Sequence, residues 1–357
     1  MRKRSLKKIL SVAISLLVVL TITGCSLIQP EYEYTSEEFI MNTFINIKVY
    51  ANSKEKAKEA IQKAFQEFKK IEELTNRFVQ KGTAEYEKSE IIKINLAAGQ
   101  TPVQVSEDTF KMLSLSKKYN KELDGVFEIT IGPLVDLWGF GQDKKNVPAR
   151  EQLESKLKLV DSNRLVLDEH RQTAYLERTD MSLDLGAIAK GYATEKAAQV
   201  IREYGIEKAI INAGGNIYAL GEKGDEIPWK IGIQDPRDAN KLLAVLNLKD
   251  QVAVTSGDYQ RYFEVNGTRY HHILDPRTGK PADELMSVTV IGEDSTIADV
   301  LSTSFFILGV EKSLAYLKEH PGIEAVFVTK DQKIYTSTGV QEIIEFKKNG
   351  GYIIDER

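Results

Sequence analysis

The stretch LDLGAIAKGY at residues 183–192 predicts a strand that runs directly into the start of a helix. Small residues at a helix start let backbone N–H groups approach an anion, and Lys190 would add a full positive charge there. The spacing matches neither the G-x-G-x-x-G fingerprint nor a Walker A loop, so a nucleotide site of those kinds is not supported. On this stretch alone, a capped helix with a solvated lysine is the simpler interpretation.

Apolar residues at helical spacing predict long helices on both sides of this stretch. Ser53 opens a long amphipathic helix, and Ser106 caps a second helix that runs to about Tyr119. A third helix covers roughly 188–204 and stops at Gly205, and a fourth covers 295–308 and stops at Gly309.

Short β-rich segments alternate with these helices. A first strand is predicted at 39–50, and Asn266-Gly267 marks a type I′ hairpin turn between 261–265 and 268–274. Further strands are predicted at 165–167, 173–176, 208–211, 287–291, 325–328 and 333–336. Since antiparallel pairs rather than strict βαβ units separate the helices, the fold class is predicted to be α+β.

Composition and charge limit the possible functions. The chain has 357 residues, of which 42% are hydrophobic and 28% charged, as in ordinary globular proteins. The formal net charge is -4, and five basic residues of the first eight contribute to it. No long basic tract follows them, so nucleic acid is not expected as a partner.

The N-terminus predicts export and a membrane anchor. Basic residues precede an apolar run that ends in Thr23-Gly24-Cys25, which is typical of a secretory signal. Cys25 is the only cysteine, and the segment resembles a bacterial lipoprotein signal in which that cysteine is lipidated. An ordinary cleaved signal with an incidental cysteine is the alternative. We therefore divide the chain into a signal (1–24), a tether (25–38) and one domain (39–357), located outside the cytoplasm and anchored to the cell membrane.

Residues 124–141, DGVFEITIGPLVDLWGFG, form a second dense segment. Gly132-Pro133 punctuates the chain, and Trp138 and Phe140 offer flat surfaces to an aromatic ligand. A turn with core aromatics explains the segment equally well.

Two of the four histidines, His271 and His272, are adjacent on a predicted strand. Successive strand side chains point to opposite faces, so at most one of them can face a given site, and a zinc site made by both is not expected. A purely structural histidine is the alternative.

Asp299 and Thr303 are four residues apart and share one face of the predicted helix. A carboxylate and a hydroxyl form an oxygen-only pair, which suits Mg²⁺ better than zinc. Such pairs are common, and a threonine hydroxyl that binds its own helix backbone is the alternative.

Seven motifs occur together in one order, and as a set they resemble the ApbE family of FAD:protein FMN transferases. They are MNTF, DGVFEITIGPLVDLWGFG, LDLGAIAKGYA, INAGGNIYALG, VAVTSGDYQRYF, HHILDPRTGKP and ADVLSTSFFILG. The resemblance implies a T-fold-like α+β architecture with antiparallel sheets, packed helices and two intertwined lobes. It also implies an envelope enzyme that moves FMN from FAD to a serine or threonine of an exported flavoprotein and releases AMP.

The resemblance also implies site residues. Mg²⁺ would bind the Ala187 carbonyl and the side chains of Asp299 and Thr303. The flavin site would use Met41, Asp124, Lys190, His272 and Ile273. Many relatives have glycine where this chain has Asn42, so the resemblance does not define the backbone at that position.

The chemistry requires charge neutralisation at a diphosphate and removal of a proton from a poorly acidic alcohol. His272 is the candidate for that base or for polarising the phosphoryl group, with Asp258 and Asp275 as alternatives. Two other functions stay open at this stage: hydrolysis of FAD to FMN and AMP, and flavin binding by a lipoprotein without catalysis.

Overall fold

A computed structural model describes residues 31–223, 227–347 and 351–355. The predicted signal and Cys25 lie outside the described residues. Within these three ranges, no helix has the length and apolar character that are needed to cross a membrane.

The chain forms nine α-helices in the described ranges, together with two short 3₁₀ helices at Ser162–Arg164 and Thr338–Glu342. The α-helices are α1 (Lys54–Thr75), α2 (Ala84–Lys88), α3 (Glu90–Leu96), α4 (Glu107–Glu122), α5 (Gly132–Trp138), α6 (Arg150–Leu157), α7 (Ala189–Glu203), α8 (Ser295–Leu308) and α9 (Val310–Glu319).

The strands of the described ranges form one large sheet and three small ones. They are β1 (Tyr32–Ile40), β2 (Thr43–Ala51), β3 (Val103–Gln104), β4 (Leu165–Asp168), β5 (Thr173–Leu176), β6 (Lys208–Ala213), β7 (Asn216–Leu220), β8 (Trp229–Asp235), β9 (Asp238–Leu248), β10 (Gln251–Gly257), β11 (Tyr262–Val265), β12 (Thr268–His271), β13 (Leu285–Gly292), β14 (Glu324–Thr329), β15 (Lys333–Thr336), β16 (Ile344–Phe346) and β17 (Ile353–Asp355).

The large sheet has the order β1-β2-β6-β7-β10-β13-β14-β15-β17, and every pair in it is antiparallel except β15 with β17. The small sheets are β11-β12, β16-β9-β8 and β3-β5-β4. This mixture of helices with mainly antiparallel sheets confirms the predicted α+β class.

The large sheet is covered on both faces. Helices α1, α7 and α8 pack on one face around fully buried side chains such as Phe65, Phe68 and Phe305. Strands β8 and β9 cover the other face, where Trp229 and Leu246 are buried. All residues of β13 are buried, as expected for a strand with protein on both sides.

The N-terminal prediction was wrong in two respects. The tether was expected to reach residue 38, but Tyr32–Ile40 is a strand paired with β2. The predicted single strand at 39–50 is instead a hairpin that turns at Met41 and Asn42, with φ of 54° and 58°. An edge strand that is largely solvent-exposed has the polar composition of a linker, which explains the error.

The strongest helix and turn signals were confirmed. Ser53 and Ser106 cap α1 and α4 with side chains that accept backbone N–H groups, and α8 has the predicted bounds. Asn266 and Gly267 both have positive φ, as a type I′ turn requires. The strand predicted before α7 is reduced to an isolated bridge between Ser182 and Ile131.

Helix α7 meets α8 at a contact that only glycine permits. A Cβ atom on Gly191 would lie 2.4 Å from the Ser295 carbonyl oxygen and 2.5 Å from the Asp299 Cβ. This close approach brings the start of one helix against the side of the other.

We expect Gly191→Ala to lower the free energy of unfolding by about 1–3 kcal/mol, because the added methyl forces the two helices apart. Urea denaturation at equilibrium measures the change. Gly292→Ala is the matched control, since a Cβ there meets no atom within 4 Å. Equal stability of the two variants would show that the helices separate without cost.

Candidate active site

A cavity of about 440 Å³ opens where several parts of the chain meet. These parts are the β1–β2 turn, the C-terminal end of α1, the loop after α4, α5 and the residues after it, the segment before α7, the β6–β7 turn, the segments around β11 and β12, and α8. Its lining includes Met41, Asn42, Thr43, Glu72, Arg77, Phe78, Glu128, Phe140, Asp184, Ala187, Lys190, Gln260, Arg261, His272, Ile273 and Thr303.

The β1–β2 turn is held firmly at the cavity. The Met41 N–H donates to Glu72 Oε1 at 2.9 Å, which ties the turn to α1. Gly214, with φ of 58°, packs against Thr43 so closely that a Cβ would lie 2.3 Å from Thr43 Oγ1. Asn42, with φ of 58°, has the left-handed backbone conformation, which asparagine tolerates better than most other non-glycine residues.

The loop after α4 is fixed by a partly buried hydrogen-bond network. Glu128 Oε1 accepts from the Thr130 N–H and hydroxyl, each at 2.7 Å, and also accepts from the Ser162 hydroxyl. Asn120 Nδ2 donates to the Phe127 carbonyl at 2.8 Å. The loop thus forms a rigid wall of the cavity.

Three cationic side chains line the cavity, and they differ in their pairing. Arg77 is 8% exposed and donates to Asp184 at 3.2 Å and to Asp136 at 2.6 Å. Neither Lys190 nor Arg261 has a carboxylate oxygen of the described residues within 4.0 Å. Two positive charges in the cavity therefore have no close counter-charge.

Burial in this concave cavity lowers the pKa of both Lys190 and Arg261. Asp299 raises the pKa of Lys190 in part, and Asp184 and Asp299 do the same for Arg261. Because the cavity is open, solvent still reaches these side chains although protein surrounds them. The balance favours binding of an anion between them.

His272 is a neutral imidazole with a defined tautomer. Its Nδ1 lies 3.2 Å from the Arg261 carbonyl oxygen, and its backbone N–H donates to the same oxygen at 3.1 Å. Since a carbonyl only accepts, Nδ1 is assigned the hydrogen and Nε2 keeps its lone pair. Burial holds the pKa of His272 well below its usual value, and the nearby Arg261, His271 and Lys190 lower it further.

His271 points the other way, as strand alternation predicted. It is 3% exposed, and its Nε2 donates to the Ala282 carbonyl at 2.8 Å while Nδ1 accepts from the Ile273 N–H. The pair thus separates into one cavity residue and one structural residue.

Asp299 is a buried carboxylate at the contact between α7 and α8. It is 7% exposed, its Oδ2 accepts from the Gly191 N–H at 2.8 Å, and no Lys or Arg nitrogen of the described residues lies within 4.0 Å. Burial raises the pKa of Asp299 to about 6, against the opposing effects of Lys190 and Gly191.

Asp299 and Thr303, on α8, carry oxygen donors of the kind that a hard cation prefers. Thr303 lies one helical turn later and lines the cavity, as does Ala187. No group of three His, Cys, Asp or Glu side chains suited to a metal occurs in the described ranges. A metal near Asp299 would therefore need the Thr303 hydroxyl and the Ala187 carbonyl that the family resemblance implies, and such oxygen ligands suit Mg²⁺.

Four predicted site residues of the described ranges do not line the cavity: Asp124, Asp258, Asp275 and Asp299, the last being buried at the contact between α7 and α8. Asp258 is 2% exposed and is held by Arg237 through two hydrogen bonds of 2.8 and 2.7 Å. Asp275 accepts from Arg277 within its own turn, and Asp124 is exposed in the turn after α4 with φ of 49°. Among the three predicted bases, only His272 is at the cavity, which corrects the two aspartate alternatives.

Trp138 and Phe140, predicted either as core residues or as flat surfaces for an aromatic ligand, differ in their surroundings. Trp138 is 2% exposed and donates from Nε1 to the Gly279 carbonyl at 2.8 Å, so it is structural. Phe140 packs on it and also lines the cavity.

Sequence reasoning missed several cavity residues, mainly Arg77, Arg261, Glu72 and Glu128. Arg261 falls inside the VAVTSGDYQRYF motif, so the motif itself was a usable signal. Arg77 follows the end of α1 in a segment without any recognisable pattern, and only the fold brings it to Asp184.

Comparisons with known proteins agree on one family. A protein-family model described as "ApbE family" matches residues 41–327 of this chain. A Klebsiella pneumoniae protein named FAD:protein FMN transferase is 40% identical over 85% of this chain and 92% of its own length. A Treponema pallidum protein of the same name is 35% identical over 86% and 88%.

Solved structures show the same similarity. The ApbE protein of Thermotoga maritima superposes with a TM-score of 0.79 at 32% identity, covering 87% of this chain and 99% of its own. The flavin transferase ApbE of Vibrio cholerae gives a TM-score of 0.77 at 25% identity, covering 88% and 100%.

We expect Arg261→Gln to raise the pKa of His272 toward its usual value, because the variant removes the neighbouring positive charge that lowers this pKa most after burial. Chemical shifts of the His272 ring, followed by NMR against pH, measure this. Arg277→Gln is the control, since Arg277 is paired with Asp275 in a turn away from the cavity. An unchanged His272 titration in Arg261→Gln would contradict the electrostatic account of the cavity.

Proposed function

The chain belongs to the ApbE family, whose model matches residues 41–327, and from this premise we infer that it is an FAD:protein FMN transferase. We propose further that the acceptor is a serine or threonine hydroxyl of an exported flavoprotein and that Mg²⁺ is the cofactor. The observation that carries the proposal is the neutral His272 beside two cations without close counter-charges, in one cavity.

The cations suit the diphosphate of FAD. Lys190 and Arg261 would bind its negatively charged oxygens and offset the charge that accumulates on the departing phosphate. Phe140 and Phe78 offer apolar surface to the flavin ring, and both line the same cavity.

His272 is the group that can accept the acceptor's proton. The hydroxyl oxygen would form a bond to the FMN-side phosphorus while the bond to the bridging oxygen breaks and AMP leaves with that oxygen. The hydroxyl proton would pass to Nε2, which has a free lone pair. The hydrogen bond from Nδ1 to the Arg261 carbonyl keeps the ring oriented during this step.

Mg²⁺ would be held by Asp299, Thr303 and the Ala187 carbonyl, and when bound it would supply positive charge near the diphosphate. Asp299 is the only carboxylate of this set. Its hydrogen bond from Gly191 leaves the second carboxylate oxygen for the cation.

A direct assay tests the function. The full-length protein in detergent is incubated with FAD, Mg²⁺ and envelope proteins of cells that lack the transferase, and flavin fluorescence on a denaturing gel marks any acceptor. Mass spectrometry then locates FMN on a serine or threonine. Absence of any flavinylated protein, with stoichiometric free FMN and AMP, would identify a hydrolase; absence of both reactions would identify a binding protein.

Asp299→Ala is expected to abolish transfer, because the only carboxylate for the cation is lost, whereas His272→Ala is expected only to slow it. Asp283→Ala is the control, since its side chain is 90% exposed at a surface ion pair. Near-wild-type transfer by Asp299→Ala with Mg²⁺ as the sole metal would contradict the metal assignment.

The apparent Mg²⁺ affinity is expected to fall as pH decreases through about 6. The sign follows from the raised pKa of Asp299: below that pH the carboxyl is protonated, and a proton must leave before the cation binds. The decrease should approach about tenfold per pH unit for one competing proton. Transfer rates against Mg²⁺ concentration between pH 5 and 7.5 measure it, and a pH-independent affinity would contradict it.

We also propose, from the sequence, that Cys25 anchors the protein outside the cell membrane. Cys25→Ala is expected to be misplaced or shed from cells while the purified variant keeps its transfer activity. Cell fractionation with an antibody measures the location. Retention of the variant in membranes would contradict the lipid anchor, and loss of activity in solution would assign the cysteine to the site.

A further inference from the structure

Two exposed phenylalanines lie side by side at the tip of the N-terminal hairpin. Phe39 is 62% exposed and Phe44 is 63% exposed, and they are cross-strand partners in the β1–β2 register. Their rings pack edge to face with centroids 5.2 Å apart. Single exposed apolar residues are ordinary, but a paired aromatic patch at a fixed position is a common mark of a contact surface.

This aromatic pair flanks the turn that lines the cavity. Only residues 40–43 separate the two phenylalanines, and Met41, Asn42 and Thr43 all line the cavity. The hydrogen bond from Met41 to Glu72 and the packing of Gly214 on Thr43 hold this turn in place. The pair is therefore fixed at the rim of the site.

Strand β1 offers a second element of the same surface. It is the outermost strand of the large sheet, and no strand in the described ranges pairs with its outer edge. The N–H and C=O groups of such an edge can bind an extended polypeptide, with alternate side chains of that polypeptide entering apolar contacts.

We propose that Phe39, Phe44 and the outer edge of β1 form the docking surface for the acceptor polypeptide. This inference rests on the proposed function, in which the second substrate is a protein whose hydroxyl must reach the phosphorus in the cavity. The fitting partner is an extended segment with an apolar side chain near its target serine or threonine. The apolar side chain packs on the aromatic pair, and the hydroxyl crosses the rim at the Met41–Thr43 turn.

The position favours this occupant over a second copy of the chain. A self-association surface could lie anywhere, whereas a surface for the acceptor must adjoin the cavity, and this patch does. Leu96 and Ile353 are equally exposed, at 62% and 61%, but neither is among the residues that line the cavity. They provide matched controls for surface hydrophobicity.

The test uses the protein that becomes flavinylated in the assay above, purified without FMN. For the double variant Phe39→Ser/Phe44→Ser, KM for this acceptor should rise about tenfold or more, with kcat nearly unchanged. The affinity for FAD and the slow release of FMN and AMP without acceptor should stay at wild-type levels. Phe39→Leu/Phe44→Leu should restore most of the loss, and Leu96→Ser/Ile353→Ser should leave KM unchanged.

Each outcome decides the proposal. An unchanged acceptor KM in the serine double variant would overturn it while leaving the proposed function intact. A parallel loss of FAD affinity would show that the phenylalanines support the cavity, and would also overturn it. A concentration-dependent dimer that the serine variant splits, with normal acceptor KM, would assign the surface to a second copy. If the wild-type protein flavinylates nothing, the proposed function itself fails and the docking surface fails with it.

Discussion

The close approach of α7 to α8 is the constraint on which the site depends. It exists because Gly191 has no Cβ and because its N–H, in the first turn of α7, lacks a partner within the helix. Asp299 accepts that N–H at 2.8 Å, and a carboxylate at a helix N-terminus is stabilised by the helix dipole. One contact therefore joins the two helices, places the buried carboxylate and brings Lys190 to the cavity.

The electrostatics of the cavity follow from this arrangement and from the pairing of the other charges. Arg77 is neutralised by Asp184 and Asp136, and Asp258 is neutralised by Arg237, so these groups stabilise the fold around the site. Lys190, Arg261 and Asp299 have no oppositely charged side-chain atom within 4.0 Å in the described ranges. The cavity is thus lined by two cations without a close carboxylate in the described ranges and by the imidazole of His272, while the Asp299 carboxylate is buried at the contact between α7 and α8.

Local signals were predictable wherever a few neighbouring residues decide the structure. The serine caps of α1 and α4, the Asn266-Gly267 turn and the bounds of α8 all depend on interactions within four residues of chain. The hairpin at β1 was missed because an exposed edge strand has a polar composition. Asp258 was placed wrongly because a carboxylate in a glycine-rich motif has the same sequence pattern whether it faces a substrate or an arginine 21 residues away.

By itself, the sequence determined the family, the α+β class and the rule that only one of His271 and His272 can face a site. These follow from motif order, residue chemistry and the two-residue period of a strand. Only the tertiary structure decided which histidine faces the cavity, that Arg261 and Lys190 have no close carboxylate among the described residues, and that Phe39 and Phe44 meet at its rim. Those facts depend on contacts between segments far apart in the chain, which no local pattern encodes.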